Sequence, residues 1–140
     1  MRLHVALVHH PVKNRLGETV TTAVTNLDVH DLSRICLTYG AAALWLVNPL
    51  PSQRELFLPL LDFWKQGGGP QYNAHRAQAL DLVRWSDSIT DTIEKIEQQE
   101  GVKPLVVATT AIQRADQCPP ESIAQHGKPV LLLLLGTGHG

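Results

Sequence analysis

The chain has 140 residues, 44% of them hydrophobic, and a formal net charge of −1. A chain of this length is expected to form one domain with its own core, here residues 1–140. The near-neutral charge excludes a protein that holds nucleic acid mainly through a global basic excess. Any nucleic-acid binding therefore requires a local basic patch or a dimer surface.

The sequence indicates a cytoplasmic protein. Residues 1–8 contain no apolar segment of signal-peptide length, and the run of five leucines near the end is far too short to span a bilayer. Cys36 and Cys118 have neither zinc-ligand spacing nor a disulfide framework around them, which predicts two free thiols.

The first half of the chain predicts two strands and two helices. Residues 3–8 form an apolar run typical of a buried strand, and a long polar connection follows. Thr25 or Asn26 can cap the first helix, residues 42–47 form the second strand, and Pro51 opens the second helix. Each helix is expected to bury one apolar stripe. In the first helix the stripe is Leu27, Leu32, Ile35 and Cys36, and in the second it is Leu56, Leu60, Leu61 and Trp64.

The second half continues this alternation. The predicted elements are a short helix (73–80), a short strand (82–85), a helix (89–100), a buried strand (105–109), a short helix (119–126) and a last buried strand (129–135). Strands that alternate with helices predict an α/β fold with a parallel sheet and helices on both of its faces.

A polar segment at the start of the first helix contains the first catalytic candidates. Within residues 26–34, Asn26 lies at a helix start near the carboxyl end of a strand, and Arg34 follows about two turns later. His30 and Arg34 are four residues apart and therefore share one helix face. An ordinary surface helix, in which Arg34 makes an exposed salt bridge, fits the same spacing.

Two strand ends in the second half are candidates for a ligand site. The strand at residues 105–109 runs into Thr110 and Ala111, small or hydroxyl-bearing residues that leave room for a ligand or simply mark a turn. Leucines 131–135 run into the glycine loop, residues 136–140, at the sheet edge where open parallel sheets bind ligands. This loop is neither a P-loop nor a dinucleotide fingerprint, but its glycines admit an adenine, ribose or sulfonium group.

Other chemistries find little support in the sequence. The seven histidines show no metal-ligand spacing, so no metal site is predicted. There is no nucleophile elbow, and neither cysteine has a basic neighbour, which disfavours a hydrolase. Lys13, Arg15 and Arg76 are candidates for a local RNA-contacting patch, with solvated loop charges as the alternative.

Three segments together resemble the SPOUT class of S-adenosylmethionine-dependent RNA methyltransferases, in particular a single-domain bacterial family. Residues 25–40 are similar to the first motif of the class, residues 106–111 to the strand and loop beside the cofactor, and residues 131–140 to the glycine-rich second motif. The resemblance implies a trefoil-knotted α/β fold, an obligate homodimer, and methyl transfer from S-adenosylmethionine to tRNA or rRNA without a metal.

The resemblance also implies roles for individual residues. Asn26 and Arg34 would lie near the methyl acceptor, Asn26 with a structural role and Arg34 activating the acceptor or positioning RNA. The cofactor would be held by residues of the two loops: Thr109, Thr110, Ala111, Leu135, Gly136, Thr137, Gly138 and Gly140.

The sequence departs from the pattern of the class after the glycine loop. Members continue through another cofactor loop and a final helix with a third motif, which is missing here, so we expect the knot to be incomplete. His139 stands where an aromatic residue is expected. The alternative function is a non-catalytic α/β binding or interaction module on a SPOUT-like scaffold.

Overall fold

The computed structural model describes residues 1–139. In chain order the elements are β1 (Arg2–Val8), β2 (Val12–Lys13), β3 (Thr19–Val20), α1 (Asn26–Thr38), β4 (Ala43–Val47), α2 (Pro51–Lys65), α3 (Gly69–Tyr72), α4 (Ala74–Leu80), β5 (Val83–Ser86), α5 (Ile89–Glu100), β6 (Leu105–Ala108), α6 (Pro120–Ile123), a 3₁₀ turn (Ala124–His126) and β7 (Val130–Gly136).

Five parallel strands form the main sheet in the order β5-β4-β1-β7-β6. β1 is central, and its Val5 lies opposite Leu44 of β4 and Leu133 of β7. β2 and β3 form a small antiparallel hairpin outside this sheet. The α/β fold with a parallel sheet is therefore confirmed, and the polar connection after β1 contains a hairpin that was not predicted.

Apolar side chains cover both faces of the sheet. On one face Leu44 and Leu46 pack in a cluster with Val29 of α1, Leu61 of α2 and Leu80 of α4. On the other face Ala6, Trp45 and Leu132 pack with Ile96 of α5. Fully burying a leucine or isoleucine contributes about 1.5–3 kcal/mol relative to exposure, so these two layers are the main source of stability.

A series of hydrogen-bonded polar side chains lies on the second face of the sheet. His4 is fully buried, its Nδ1 accepts a hydrogen bond from Trp45 Nε1 at 3.2 Å, and its Nε2 lies 3.0 Å from Glu100 Oε1. Since the indole can only donate, the proton of His4 is on Nε2 and is donated to Glu100. Burial lowers the pKa of His4, and Glu100 opposes this shift.

Capping side chains begin three of the helices. Thr25 Oγ1 accepts from Asp28 N in α1, Asn73 Oδ1 from Arg76 N in α4, and Ser88 Oγ from Asp91 N in α5. Each such cap contributes about 1 kcal/mol by satisfying a free helix N–H. Of the two cap candidates for α1, Thr25 is the cap and Asn26 is the first helical residue.

Two predicted inward stripes were partly wrong. Leu27 and Ile35 of α1 are 72% and 51% exposed, and Leu56 of α2 is 65% exposed. The buried residues are Val29, Ser33 and Cys36 in α1, and Phe57, Leu61 and Trp64 in α2. The small Ser33 can face inward because its hydroxyl donates a hydrogen bond to His30 O at 3.0 Å.

The prediction that β6 is a buried strand was also wrong. β6 is an edge strand whose side chains alternate between half-buried and exposed, and Val106 is 38% exposed. The crossover from β6 to β7 contains only the short α6 and the 3₁₀ turn, and neither has a buried residue. The apolar side chains of β6 are therefore only partly covered, because the crossover that follows this strand contains no long helix.

Candidate functional site

The residues that follow the five parallel strands lie at one edge of the sheet, its carboxyl edge. The chain leaves β1 toward β4 and reaches β7 from β6, although β1 and β7 are neighbours. Such a reversal of strand order opens a crevice at the carboxyl ends, where α/β proteins bind ligands. His9 follows β1 and Thr137 follows β7 at this point.

The two loops predicted to hold a cofactor lie side by side at this edge. Thr109 follows β6, and both its N–H and its hydroxyl donate to Leu134 O of β7, at 3.1 and 3.2 Å. The structure thereby brings Thr109, Thr110 and Ala111 next to Leu135 and the glycine loop. Gly140, also predicted for this site, lies outside the described residues.

The β2–β3 hairpin holds the glycine loop from the other side. Thr137 Oγ1 donates to Val8 O at 2.9 Å and lies 2.5 Å from Thr22 Oγ1, while His139 N donates to Lys13 O at 2.8 Å. A Cβ atom on Gly138 would overlap Val12 Cγ1 and lie 2.7 Å from Lys13 O, so any side chain there would require the hairpin to shift. Gly138 is therefore required by packing of the hairpin.

Gly136 is in a different environment. It is exposed, and a Cβ atom on it would have no heavy atom within 4 Å. The backbone of Gly136 can therefore be approached closely by a ligand. Together with the exposed Thr109 hydroxyl, it gives the crevice a face of backbone and hydroxyl groups without bulky side chains.

Counting protons fixes the tautomer of the buried His9. Thr137 donates its one hydroxyl proton to Val8 O, so at their close contact Thr22 must donate to Thr137. At the 3.0 Å contact between His9 Nδ1 and Thr22 Oγ1, the histidine is then the donor. His9 Nε2 is left as a buried acceptor without a hydrogen-bond partner among residues 1–139. Burial lowers the pKa of His9, against the opposing charge of Asp28, so the ring is neutral at pH 7.

Asn48 completes this polar cluster. Its side chain is fully buried, its Nδ2 donates to Thr22 O at 3.2 Å, and its Oδ1 accepts from Leu50 N at 3.0 Å. Sequence reasoning did not propose His9, Thr22 or Asn48 as site residues. A usable signal was present, since His9 and Asn48 are each the first polar residue after a buried strand.

Asn26 and Arg34 both lie on α1. Asn26 lines a groove of about 390 Å³ between α1 and α2, together with Leu56 and Leu60. Arg34 is eight residues further along the helix, about 12 Å by the helical rise. Within residues 1–139 no hydrogen bond joins either side chain to the glycine loop. The two halves of the predicted site are therefore not joined by a hydrogen bond among these residues.

Arg34 lines a second groove, of about 330 Å³, which we call the α1–α4 groove. Its lining residues are Arg34, Leu37, Thr38, Asn73, His75 and Arg76.

The three candidates for RNA contact lie in two different places. Arg76 lies beside Arg34, whereas Lys13 and Arg15 lie on the β2–β3 hairpin that contacts the glycine loop.

The described residues show neither a group of metal ligands nor a membrane-spanning helix. Between Met1 and His139, no three His, Cys, Asp or Glu side chains are grouped closely enough to hold a metal ion. None of the helices formed by these residues has the length and apolar character needed to cross a bilayer. Cys36 is a buried free thiol whose pKa is raised by burial, and Cys118 is exposed and free.

Comparison with known proteins decides the family. A family described as SAM-dependent RNA methyltransferase matches residues 2–140. The chain belongs to this family. The prediction from the sequence that the chain belongs with the RNA methyltransferases is thereby confirmed, and the family description supports S-adenosylmethionine as the cofactor.

Three similar proteins extend the comparison. A tRNA (guanine-N(1)-)-methyltransferase of Oleidesulfovibrio alaskensis is 41% identical over 140 residues, which are 99% of this chain and 32% of that protein. The protein of the same name from Nitratidesulfovibrio vulgaris is 38% identical over 138 residues, with the same shares. An uncharacterised protein of Aquifex aeolicus is 29% identical, over 97% of this chain and 68% of its own length. The chain therefore spans about a third of the two named relatives.

Proposed function

We propose that this protein transfers a methyl group from S-adenosylmethionine to RNA, with the architecture of the SPOUT class. The observation that carries the proposal is the junction of the β6 and β7 loops at the reversal of strand order, in a chain of the SAM-dependent RNA methyltransferase family. The names of the two longer relatives make tRNA the RNA to test first.

The residues at the carboxyl edge suit this cofactor. Leu135, Gly136 and Thr137 would hold it through backbone groups, and Thr109, Thr110 and Ala111 would form the facing wall, with Gly140 as a further candidate. The open space at Gly136 supports such close approach, whereas Gly138 is already in contact with Val12. When bound, S-adenosylmethionine supplies a methyl group on a positively charged sulfur, so the chain needs mainly to align the RNA nucleophile with it.

RNA would reach the site from the hairpin side. Lys13 and Arg15 are exposed on the β2–β3 hairpin, whose backbone contacts the glycine loop at Lys13 O. Phosphate groups of RNA are expected to lie on these two cations. An RNA substrate is consistent with a cytoplasmic protein, which we propose here as well.

A homodimer would bring Arg34 to the site. In one chain no hydrogen bond joins Arg34 to residues 136–139 of the glycine loop, and the Arg34 of a second copy would supply the role near the methyl acceptor. Exposed apolar side chains support such an interface: Leu27 and Ile35 of α1 are exposed, and three leucines of β7 are only half-buried. Asn26, on the first turn of the same helix, would shape this interface.

Calorimetric titration of the protein with S-adenosylmethionine and S-adenosylhomocysteine tests the proposal. We expect saturable binding that Gly136→Val abolishes, followed by transfer of a labelled methyl group to tRNA. Absence of binding to both ligands would leave the non-catalytic α/β module as the function. Sedimentation equilibrium tests the homodimer, and a monomer at all concentrations would contradict it.

A further inference from the structure

We propose that the surface around the α1–α4 groove binds a single-stranded segment of RNA. In this assignment Arg34 and Arg76 hold a phosphodiester group, and Tyr72 and Phe63 stack with unpaired bases. The inference rests on the proposed function in taking RNA as the substrate, and it adds where and in which form the RNA is held.

The charges of the groove favour a phosphate ligand. Arg34 and Arg76 line the same groove together with His75, and no acidic side chain is among the lining residues. The salt bridges between residues 1–139 are made by other cations, so neither guanidinium has a carboxylate within 4.0 Å. Two guanidinium groups without acidic partners at one groove form a strong site for phosphate oxygens.

Trp64 and Asn73 hold Arg76 in place. Its guanidinium carbon lies 5.4 Å from the centroid of the Trp64 ring, an arrangement in which the ring face attracts the cation. Its backbone N–H is fixed by the Asn73 side chain at 3.0 Å. Stacking on Trp64 leaves the N–H edges of the guanidinium free for a phosphate, and the side chain loses little further freedom on binding.

Aromatic rings border this cation on the same surface. Phe63 and Tyr72 flank Trp64 in edge-to-face contacts, with centroid distances of 5.4 and 6.4 Å. Tyr72 is 81% exposed and Phe63 47% exposed. The turn at Gly67 and Gly68, followed by the four residues of α3, brings Tyr72 back beside the end of α2. The result is a row of rings with two exposed members next to two unpaired arginines.

This combination fits unpaired nucleotides better than a duplex. The faces of paired bases are covered by their neighbours in an A-form helix, so exposed rings can stack only with bases of single strands, loops or bulges. A duplex could contact this surface only through the two arginines. Aromatic rings and arginines interleaved on one surface are typical of proteins that bind single-stranded nucleic acid.

Fluorescence anisotropy with labelled RNA of about 12 nucleotides, single-stranded or annealed, tests this surface. We expect the single strand to bind more tightly than the duplex. Tyr72→Ala should weaken single-strand binding about tenfold, whereas Tyr72→Phe keeps the ring and should bind as the parent does. Arg34→Gln and Arg76→Gln should each lower the slope of log affinity against log salt by about 0.7, and Tyr72→Ala should leave the slope unchanged.

Lys103→Ala serves as the charge control, since Lys103 is exposed on the loop before β6 at the opposite edge of the sheet. It should change affinity less than twofold. The inference is overturned if the duplex binds as tightly as the single strand, if Tyr72→Ala binds like Tyr72→Phe, or if the arginine variants keep the parental salt slope.

Titration of the same variants with S-adenosylmethionine separates this inference from the proposed function. Tyr72→Ala and Arg76→Gln should bind the cofactor like the parent, because both side chains lie away from the glycine loop. If the parent binds no cofactor but the RNA results hold, the RNA surface stands and the enzyme proposal fails. If methyl transfer occurs while these variants bind RNA normally, only the RNA surface is wrong.

Discussion

Thr22 and Thr137 bring their hydroxyl oxygens to 2.5 Å from each other across 115 residues of chain. This contact ties the connection after β1 to the loop after β7, the two segments that meet at the centre of the carboxyl edge. Behind it lie His9, which donates to Thr22, and Val8 O, which accepts from Thr137. The shape of the glycine loop therefore depends on side chains from the start of the chain.

Replacing Thr137 by valine keeps the shape of the side chain and removes its hydroxyl. Two hydrogen-bond partners, Val8 O and Thr22 Oγ1, then lose a contact, which should lower the free energy of unfolding by about 1–3 kcal/mol. Urea denaturation measures this change. Thr21→Val is the matched control, since that hydroxyl contacts only the His10 ring. Equal stability of the two variants would show that the Thr22–Thr137 contact does not hold the loop.

The two glycines of the loop should respond differently to alanine. At Gly138 the new methyl group overlaps Val12 and Lys13 O, so the hairpin must shift, and we expect about 1–3 kcal/mol of destabilisation. At Gly136 the methyl group has open space, and stability should change little. Under the proposed function Gly136→Ala should instead weaken cofactor binding. Thermal unfolding and calorimetry of both variants test this contrast, and destabilisation by Gly136→Ala would contradict it.

The order of strands and helices was predictable because each element carries its own local signal. Pro51, Ser88 and Gly101 mark helix ends through the same physics wherever they occur. The buried face of α1 was predicted less well. Counting apolar residues put Leu27 and Ile35 inside, but which face of a helix is buried depends on neighbours that lie far away in sequence.

The candidate site shows the same division. Thr109 and the glycine loop could be placed together because parallel strands end at one edge of a sheet. The contact between Thr22 and Thr137 was not predictable, since no local sequence pattern indicates that the connection after β1 contacts the loop after β7. Arg34 and Arg76 were likewise predicted for separate roles, and only the packing of α1 against α4 unites them in one groove.

Stability should fall as the pH drops below about 6.5, the ordinary pKa of histidine. Burial lowers the pKa of His9 in the folded state, so the unfolded chain binds a proton at a higher pH than the folded chain does. Its contribution is complete above 6.5 and is progressively lost below that value. Burial shifts His4 and His30 in the same direction.

His9→Asn isolates the part of this dependence that belongs to His9. The asparagine amide can still donate to Thr22 but does not titrate. Urea denaturation between about pH 5 and 7.5 should show a smaller loss of stability for the variant than for the parent. The lowered pKa values of Asp91 and Glu100 act at more acidic pH and do not interfere. Parallel pH profiles of variant and parent would exclude His9 as a source of acid sensitivity.

Arg34→Ala should lower methyl transfer while leaving cofactor affinity unchanged. Loss of a hydrogen bond from a charged group costs about 1.5–3 kcal/mol, which corresponds to roughly 10- to 100-fold in kcat/KM. Arg34→Lys keeps the charge but not the bidentate geometry, so its kcat/KM should lie between that of the parent and that of Arg34→Ala. Unchanged kcat/KM of Arg34→Ala on a confirmed RNA substrate would remove Arg34 from the reaction.

Mixing two inactive variants tests whether Arg34 acts across a dimer. Arg34→Ala retains the glycine loop, and Gly136→Val retains the arginine. If each site combines the loop of one copy with the Arg34 of the other, half of the sites in every mixed dimer are intact. Since random exchange makes about half of the dimers mixed, the mixture should recover about a quarter of the parental activity. An arginine that acts on the loop of its own chain restores nothing, and a mixture without activity would contradict the shared site.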